Sequence, residues 1–111
     1  MTLGELIAAL EKLNPELEVP LGFGEPHSYR GDYYDLAFEP KRNVTVGEML
    51  ADAKSALGTT YQGYKGGDFT MNEWTTCWLA EYGSTGETIG PYFLGLLLAT
   101  AERVVERISP A

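Results

Sequence analysis

Residues 45–58 read Thr-Val-Gly-Glu-Met-Leu-Ala-Asp-Ala-Lys-Ser-Ala-Leu-Gly, and this stretch predicts the helix around which the rest of the chain is organised. Thr45 and Glu48 have the spacing of a capping box, in which each side chain accepts a hydrogen bond from the other's backbone N–H at a helix N-terminus. Gly58 stands where a glycine commonly ends a helix. The apolar residues in between are predicted to share one helical face: Val46, Met49, Leu50, Ala53 and Leu57.

Strand patterns lie on both sides of this helix. Before it, apolar residues alternate over residues 19–23 and 35–39. Pro20 marks the first of these as an edge strand, because proline has no N–H for a ladder. After the helix, residues 59–64 and 76–82 are rich in Thr, Tyr and Trp, which suit a pleated surface.

Two further helices stand at the ends of the chain. Thr2 and Glu5 repeat the capping box, and that helix is expected to end before Pro15. The last helix opens with Pro91, a favoured first helical residue, and runs to about Ile108. The order is therefore helix, two strands, helix, two or three strands, helix. It predicts one α+β domain spanning residues 1–111, with a mainly antiparallel sheet and three helices.

The first half of the last helix is apolar on every face, and such a helix must be buried on every face. A chain of 111 residues has little material with which to surround it. We expect this helix to pack at a subunit interface; the alternative is a central core helix within one chain. The residues concerned are Tyr92, Phe93, Leu94, Leu96, Leu97 and Leu98.

Charge and composition exclude several classes of protein. Sixteen acidic residues face eight basic ones, and the basic residues form no cluster, so DNA is not an expected partner. The longest uncharged apolar stretch, residues 91–101, is shorter than the ~20 residues that cross a bilayer, so no membrane is expected either. Cys77 is the single cysteine, which excludes an internal disulfide and favours a cytoplasmic location.

Catalytic residue types are scarce. His27 is the one histidine, and together with Cys77 it falls short of the three or four nitrogen and sulfur ligands of a protein zinc site. The sixteen carboxylates offer no way to single out an acid–base pair. We therefore predict no catalytic residue, no metal and no cofactor, and a protein that is not an enzyme.

Three irregular, glycine-bearing segments contain candidate ligand-binding residues. Residues 24–34 combine an arginine with several rings, residues 61–69 place a lysine beside two glycines, and residues 83–90 lead into a helix N-terminus. Such segments supply phosphate donors and stacking surfaces. Two plainer interpretations stay open: the tyrosines pack on the sheet, and the lysine lies in a hairpin turn. The predicted ligand-binding residues are His27, Tyr29, Arg30, Tyr64, Lys65, Trp78, Thr85, Thr88 and Arg103.

Five short motifs across residues 22–90 resemble the phage Thoeris anti-defence proteins of the first-described type. They are His27-Ser-Tyr-Arg-Gly31, Leu36-Ala-Phe-Glu-Pro40, Val44-Thr-Val-Gly-Glu-Met-Leu50, Gly63-Tyr-Lys-Gly-Gly67 and Ala80-Glu-Tyr-Gly83.

The resemblance implies a sponge that sequesters cyclic ADP-ribose isomers, and in some members cyclic trinucleotides, in the cytoplasm of an infected bacterial host. It also implies a homo-oligomer (a dimer or a hexamer) with pockets at subunit contacts, and a ligand contact at Arg30. Two alternatives remain. One is an acidic, DNA-mimicking inhibitor of a host defence enzyme, and the other is a small enzyme that cleaves the nucleotide.

Overall fold

The computed structural model describes residues 1–63 and 65–108, with positions 100–108 described by their backbone alone. The predicted α+β fold with three helices is confirmed. Four short strands, rather than two or three, follow the central helix, because the additional ones are too short to show an alternating pattern. In chain order the elements are α1 (Leu3–Glu11), β1 (Glu18–Ser28), β2 (Leu36–Thr45), α2 (Val46–Ala56), β3 (Thr60–Gln62), β4 (Asp68–Thr70), β5 (Cys77–Leu79), β6 (Glu87–Thr88) and α3 (Pro91–Ile108).

Both predicted capping boxes are formed. The backbone N–H of Glu5 donates to Thr2 Oγ1 at 3.2 Å, and that of Glu48 donates to Thr45 Oγ1 at 3.1 Å. Helix α2 ends just before Gly58, whose φ of +81° lies in the left-handed region. Leu57 was predicted on the buried face, and this is wrong: the chain has already left the helix there, and Leu57 is 47% exposed.

The main sheet has the strand order β1-β2-β5-β6, which places β1 at the edge as Pro20 predicts. Strands β1 and β2 pair antiparallel, as do β5 and β6, whereas β2 and β5 are parallel. The parallel pair arises because α2 and a separate β3–β4 hairpin intervene between β2 and β5. The predicted mainly antiparallel sheet is thus confirmed, with one parallel pair.

The two faces of the main sheet are covered differently. Leu36, Phe38 and Cys77 face the main core, which also contains buried residues of all three helices. The intervening residues of the same strands point to the opposite face, because side chains alternate along a strand. A small second cluster forms there, and we call it the aromatic cluster: Tyr29, Ala37, Trp78 and Ala80.

Over residues 91–99, helix α3 is covered on one side only. Leu94 is 4% exposed and belongs to the main core, whereas Tyr92 is 82% exposed and Leu96 is 50% exposed. Among the described residues, nothing surrounds the helix on every face, so it is not a central core helix. Its packing at a subunit interface stays a prediction. Across the described residues, no helix combines the length and apolarity needed to cross a membrane.

Candidate functional site

The loop between β5 and β6, residues 80–86, is held against the end of β1 by three of the predicted ligand-binding residues. His27 Nε2 lies 3.1 Å from the carbonyl oxygen of Ala80. The hydroxyl of Tyr29 accepts a hydrogen bond from the backbone N–H of Gly86 at 3.3 Å. The Arg30 guanidinium donates to the carbonyl oxygen of Gly83. Two of the predicted segments, residues 24–34 and 83–90, therefore meet. The contacts between them use part of the hydrogen-bonding capacity that a ligand would need.

His27 is the most fully engaged of the three. Its Nε2 also lies 3.1 Å from Glu39 Oε2, and its Nδ1 lies 3.2 Å from the carbonyl oxygen of Ser28. Both partners of Nε2 are oxygen atoms that can accept a hydrogen bond. The ring of Tyr82 meets the His27 ring edge-on, with centroids 5.4 Å apart. The imidazole thus connects β1, β2 and the loop, and it lines neither cleft described below.

Arg30 differs from His27 because Arg30 is exposed, whereas His27 is buried. A guanidinium has five N–H donors, and the bond to Gly83 uses only part of that capacity. The remaining donors are accessible to an anion. Arg30 therefore remains a candidate ligand contact while also fastening the loop.

Trp78 is held in a defined orientation. Its indole ring stacks on the ring of Tyr29, with centroids 4.1 Å apart and an interplanar angle of 11°. Its Nε1–H donates to Asp35 Oδ2 at 2.9 Å. Burial raises the pKa of the Asp35 carboxyl above its ordinary value, and the negative charge of Asp32 adds to this, whereas the bond from Trp78 opposes it. The indole is thus fixed by one face and by its only polar atom.

Two adjoining clefts open beside these residues. The aromatic cleft has a volume of about 720 Å³ and lies between β5, β6 and the start of α3; it is lined by Trp78, Glu87, Thr88, Gly90, Tyr92, Phe93 and Leu96. The acidic cleft has a volume of about 350 Å³ and lies along the β5–β6 loop; it is lined by Pro40, Leu79, Ala80, Glu81, Ser84, Thr85, Gly86, Glu87 and Phe93.

Three predicted residues are distributed between these clefts. Thr88 is the register partner of Trp78 in the β5–β6 pair, so the two side chains lie on the same face of the sheet and both line the aromatic cleft. Thr85 lines the acidic cleft instead. Glu87 and Phe93 line both clefts, so the two clefts adjoin.

The charges in the clefts are negative. Glu81 and Glu87 contribute carboxylates, and no lysine or arginine occurs among the described lining residues. A carboxylate accepts hydrogen bonds from sugar hydroxyls but repels phosphate. A phosphate would therefore have to bind away from these groups, near the exposed donors of Arg30 or near the positive N-terminal end of α3 at Pro91.

The second predicted segment lies apart from the clefts. Lys65 is exposed in the turn of the β3–β4 hairpin, and Gly66 and Gly67 have φ angles of +89° and +87°. The N–H of Gly66 bonds the carbonyl oxygen of Gly63, so part of the turn's amide capacity is already used. The structure thus agrees with the hairpin interpretation of Lys65, whose ligand role stays a prediction.

The remaining predicted residues cannot be located by their side chains. Tyr64 lies outside the described residues. Arg103 lies in α3, where only the backbone is described. Their predicted ligand roles therefore stay predictions.

Sequence reasoning missed several residues of this region. Asp35 gave no signal, because a single aspartate before a strand resembles any turn residue. Tyr92 was noted only as part of an apolar helix. Gly86 could have been suspected from its glycine-bearing segment. A Cβ at that position would lie 2.0 Å from the carbonyl oxygen of Leu79, so the loop can approach β5 only with glycine there.

No group of three or more His, Cys, Asp or Glu side chains suited to a metal ion occurs within the described ranges. Comparison of the chain with family models, with curated proteins and with solved structures gives no match. Any statement about function therefore depends on the geometry of the site and on the motifs quoted above.

Proposed function

We propose that the protein binds and sequesters a cyclic nucleotide signal of the cyclic ADP-ribose type, without cleaving it, at the aromatic cleft. The observation that carries the proposal is the fixed indole of Trp78. It is stacked on Tyr29 at 4.1 Å and bonded to Asp35, and it forms part of the wall of an open cleft. A ring ordered before binding loses little further conformational entropy when a base packs against it.

The cleft supplies the apolar contacts that a base requires. Tyr92 and Leu96 protrude into it from α3, and Thr88 lies beside the indole with a hydroxyl for hydrogen bonding. Stacking of a base on an aromatic side chain is worth about 1–3 kcal/mol. An affinity of ~100 nM corresponds to about 9–10 kcal/mol, so stacking alone is insufficient and charged contacts must add to it.

Those charged contacts are assigned to groups other than the acidic side chains that line the clefts. The exposed donors of Arg30 suit one phosphate. The first turn of α3 offers unpaired N–H groups to another. The Glu87 carboxylate suits a ribose hydroxyl, as an acceptor rather than a donor. This arrangement separates the phosphates from the acidic lining.

The position of His27 supports the proposal of sequestration rather than cleavage. It lines neither cleft, and its Nε2 is shared between Glu39 and the Ala80 carbonyl. A general acid or base must reach the reacting atoms within hydrogen-bond distance. A bound nucleotide in the aromatic cleft would have no histidine within reach.

The proposal also includes assembly and location. Tyr92 and Leu96 line the aromatic cleft and are also exposed apolar surface. We therefore propose a homo-oligomer, a dimer or a hexamer, formed through α3, in which the cleft lies at a subunit contact. We place this oligomer in the cytoplasm of an infected bacterial host, with cyclic trinucleotides as possible further ligands. Neither DNA nor a membrane is a proposed partner.

A release experiment tests the proposal. The protein is incubated with cyclic ADP-ribose isomers and ultrafiltered, the retained protein is heat-denatured, and both fractions are analysed by mass spectrometry. We expect intact nucleotide to be recovered only after denaturation. Altered nucleotide would identify an enzyme, and nucleotide that passes freely through the filter would contradict the proposal.

A matched pair of variants localises the site. Trp78→Ala removes the cleft wall, whereas Trp74→Ala removes an indole that is 75% exposed and lines neither cleft. We expect the first variant to lose retention and the second to keep it. Equal retention by both variants would place the binding site elsewhere.

One observation favours the alternative function, an acidic inhibitor of a host defence enzyme. The described lining of both clefts carries the carboxylates of Glu81 and Glu87 without a cation, beside the exposed ring of Tyr82. A basic protein surface would complement such charges. If nucleotides pass freely through the filter, co-purification with host nucleases is the next measurement.

A further inference from the structure

Asp35 is hydrogen-bonded to both aromatic residues of the aromatic cluster, to the indole of Trp78 and to the backbone of Tyr29. Its side-chain Oδ2 accepts from Trp78 Nε1–H at 2.9 Å, and its backbone carbonyl accepts from the N–H of Tyr29 at 2.8 Å. The turn before it is closed by Asp32, whose carbonyl accepts from the N–H of Asp35 at 2.9 Å. One residue thus bonds the backbone of Tyr29 and the indole of Trp78, whose rings stack on each other.

The pairing of β2 with β5 brings these groups together. Leu36 is the parallel register partner of Cys77, so Asp35, which directly precedes β2, and Trp78, which lies on β5, are both next to this pair. The two residues are 43 positions apart in the chain. A carboxylate at the start of β2 therefore reaches an indole on β5 only when this register forms.

The setting is unfavourable for a charge. Asp35 is half-buried, its pKa is raised chiefly by burial, and Asp32 adds a like charge. Within the described residues it has no ion pair with a lysine, arginine or histidine. Its only side-chain hydrogen bond there is to the indole. A half-buried carboxylate without a cation is costly, which points to a role in orienting its partner.

We propose that Asp35 is a positioning residue, which holds the Trp78 indole against Tyr29 and thereby sets the wall of the aromatic cleft. Without this bond the indole is held by its stacking on Tyr29 alone, and its N–H gains a partner only by turning toward water. The effect on ligand binding rests on the proposed function, whereas the effect on the orientation of the ring does not.

A single-tryptophan protein measures the orientation directly. The chain has two tryptophans, so Trp74→Phe leaves Trp78 as the only indole. In this background we compare near-ultraviolet circular dichroism and acrylamide quenching for the parent, Asp35→Ala and Asp35→Asn. Asp35→Ala should lose the tryptophan dichroism and increase the quenching. Asp35→Asn should keep both near the parent values, because its amide oxygen still accepts.

Two outcomes would overturn the positioning role. An unchanged indole signal in Asp35→Ala would show that the ring does not need the carboxylate. A loss in Asp35→Asn equal to that in Asp35→Ala would show that the acceptor is not what matters. If Asp35→Ala does not fold, as judged by far-ultraviolet dichroism, Asp35→Glu replaces it. The longer carboxylate is displaced by one methylene and should weaken the signal partially.

The binding arm uses cyclic ADP-ribose isomers with the same variants. Asp35→Ala should bind about tenfold more weakly and Asp35→Asn within about threefold of the parent, a tenfold change being about 1.4 kcal/mol. If the parent retains no nucleotide, the proposed function fails, while the spectroscopic arm still decides the role of Asp35. A lost indole signal with unchanged affinity would overturn the link between ring orientation and the cleft.

Discussion

The two faces of the main sheet show how one set of strands can serve two purposes. On one face, Phe38 and Cys77 are fully buried under helices, in a core that extends through all three of them. On the other face, Ala37 and Trp78 belong to a cluster of four residues that is held by hydrogen bonds as well as by packing. The first face contains most of the buried apolar side chains. The second leaves a ring partly exposed beside a cleft, which is the arrangement that the proposed binding requires.

The largest expected effect comes from removing a ring of the main core. Phe38 is fully buried and packs on Phe23 with centroids 5.0 Å apart. Phe38→Ala should lower the free energy of unfolding by about 3–5 kcal/mol, which is a large part of the ~5–15 kcal/mol that stabilises a small domain. Urea denaturation followed by far-ultraviolet dichroism measures the loss. A change below about 1 kcal/mol would contradict this assignment of the core.

Trp78→Ala removes a larger side chain from the opposite face, and yet it should cost less. Trp78 is half-buried and has few neighbours, so we expect a loss of about 2 kcal/mol in the free energy of unfolding. The same urea titration measures it. A loss equal to that of Phe38→Ala would show that the aromatic cluster is as structural as the main core.

The pH dependence of stability tests whether Cys77 is buried on the main-core face of β5. Burial raises the pKa of its thiol to about 12, from 9.0 in an exposed chain. Between these values the unfolded chain loses the proton and the folded chain keeps it, so stability falls as the pH rises above 9.0. The fall should approach about 1.4 kcal/mol per pH unit. Urea denaturation between pH 8 and 11 measures it.

Other groups also titrate in that range, including Tyr61, whose pKa is raised chiefly by burial. Cys77→Ala is therefore the control, and only the difference between the two proteins reports on the thiol. A thiol reagent gives an independent readout, since the native protein at pH 8 should react only through unfolding. A rapid native reaction would show that this face is open.

The smallest expected effect comes from a residue that lies on neither face of the main sheet. Lys65 is exposed in a hairpin turn and lines neither cleft. Lys65→Ala should change the free energy of unfolding by less than about 0.5 kcal/mol and leave nucleotide retention unchanged. Reduced retention with unchanged stability would instead support the ligand role that the sequence predicts, and would extend the site beyond the two clefts.

Local signals predicted the helices well because their causes are local. Thr2 and Thr45 cap helices through residues three positions away, and Gly58 ends α2 by its own conformation. The candidate site was predicted less completely. Trp78 and Thr88 line a cleft, and their ligand roles stay predictions, whereas His27 is engaged within the chain. Residue types indicate what a side chain can bind. They do not show whether its hydrogen bonds are made to a ligand or to other residues of the chain.

The sequence by itself determined the α+β class, the capping boxes and the edge position of β1, because each depends on neighbours in the chain or on one residue's backbone. Only the tertiary structure decided that β5 pairs in parallel with β2. It also decided that Asp35 meets Trp78 across 43 positions, and that Arg30 binds Gly83 across 53. These contacts depend on strand register, which is set by packing of the whole sheet and leaves no local pattern.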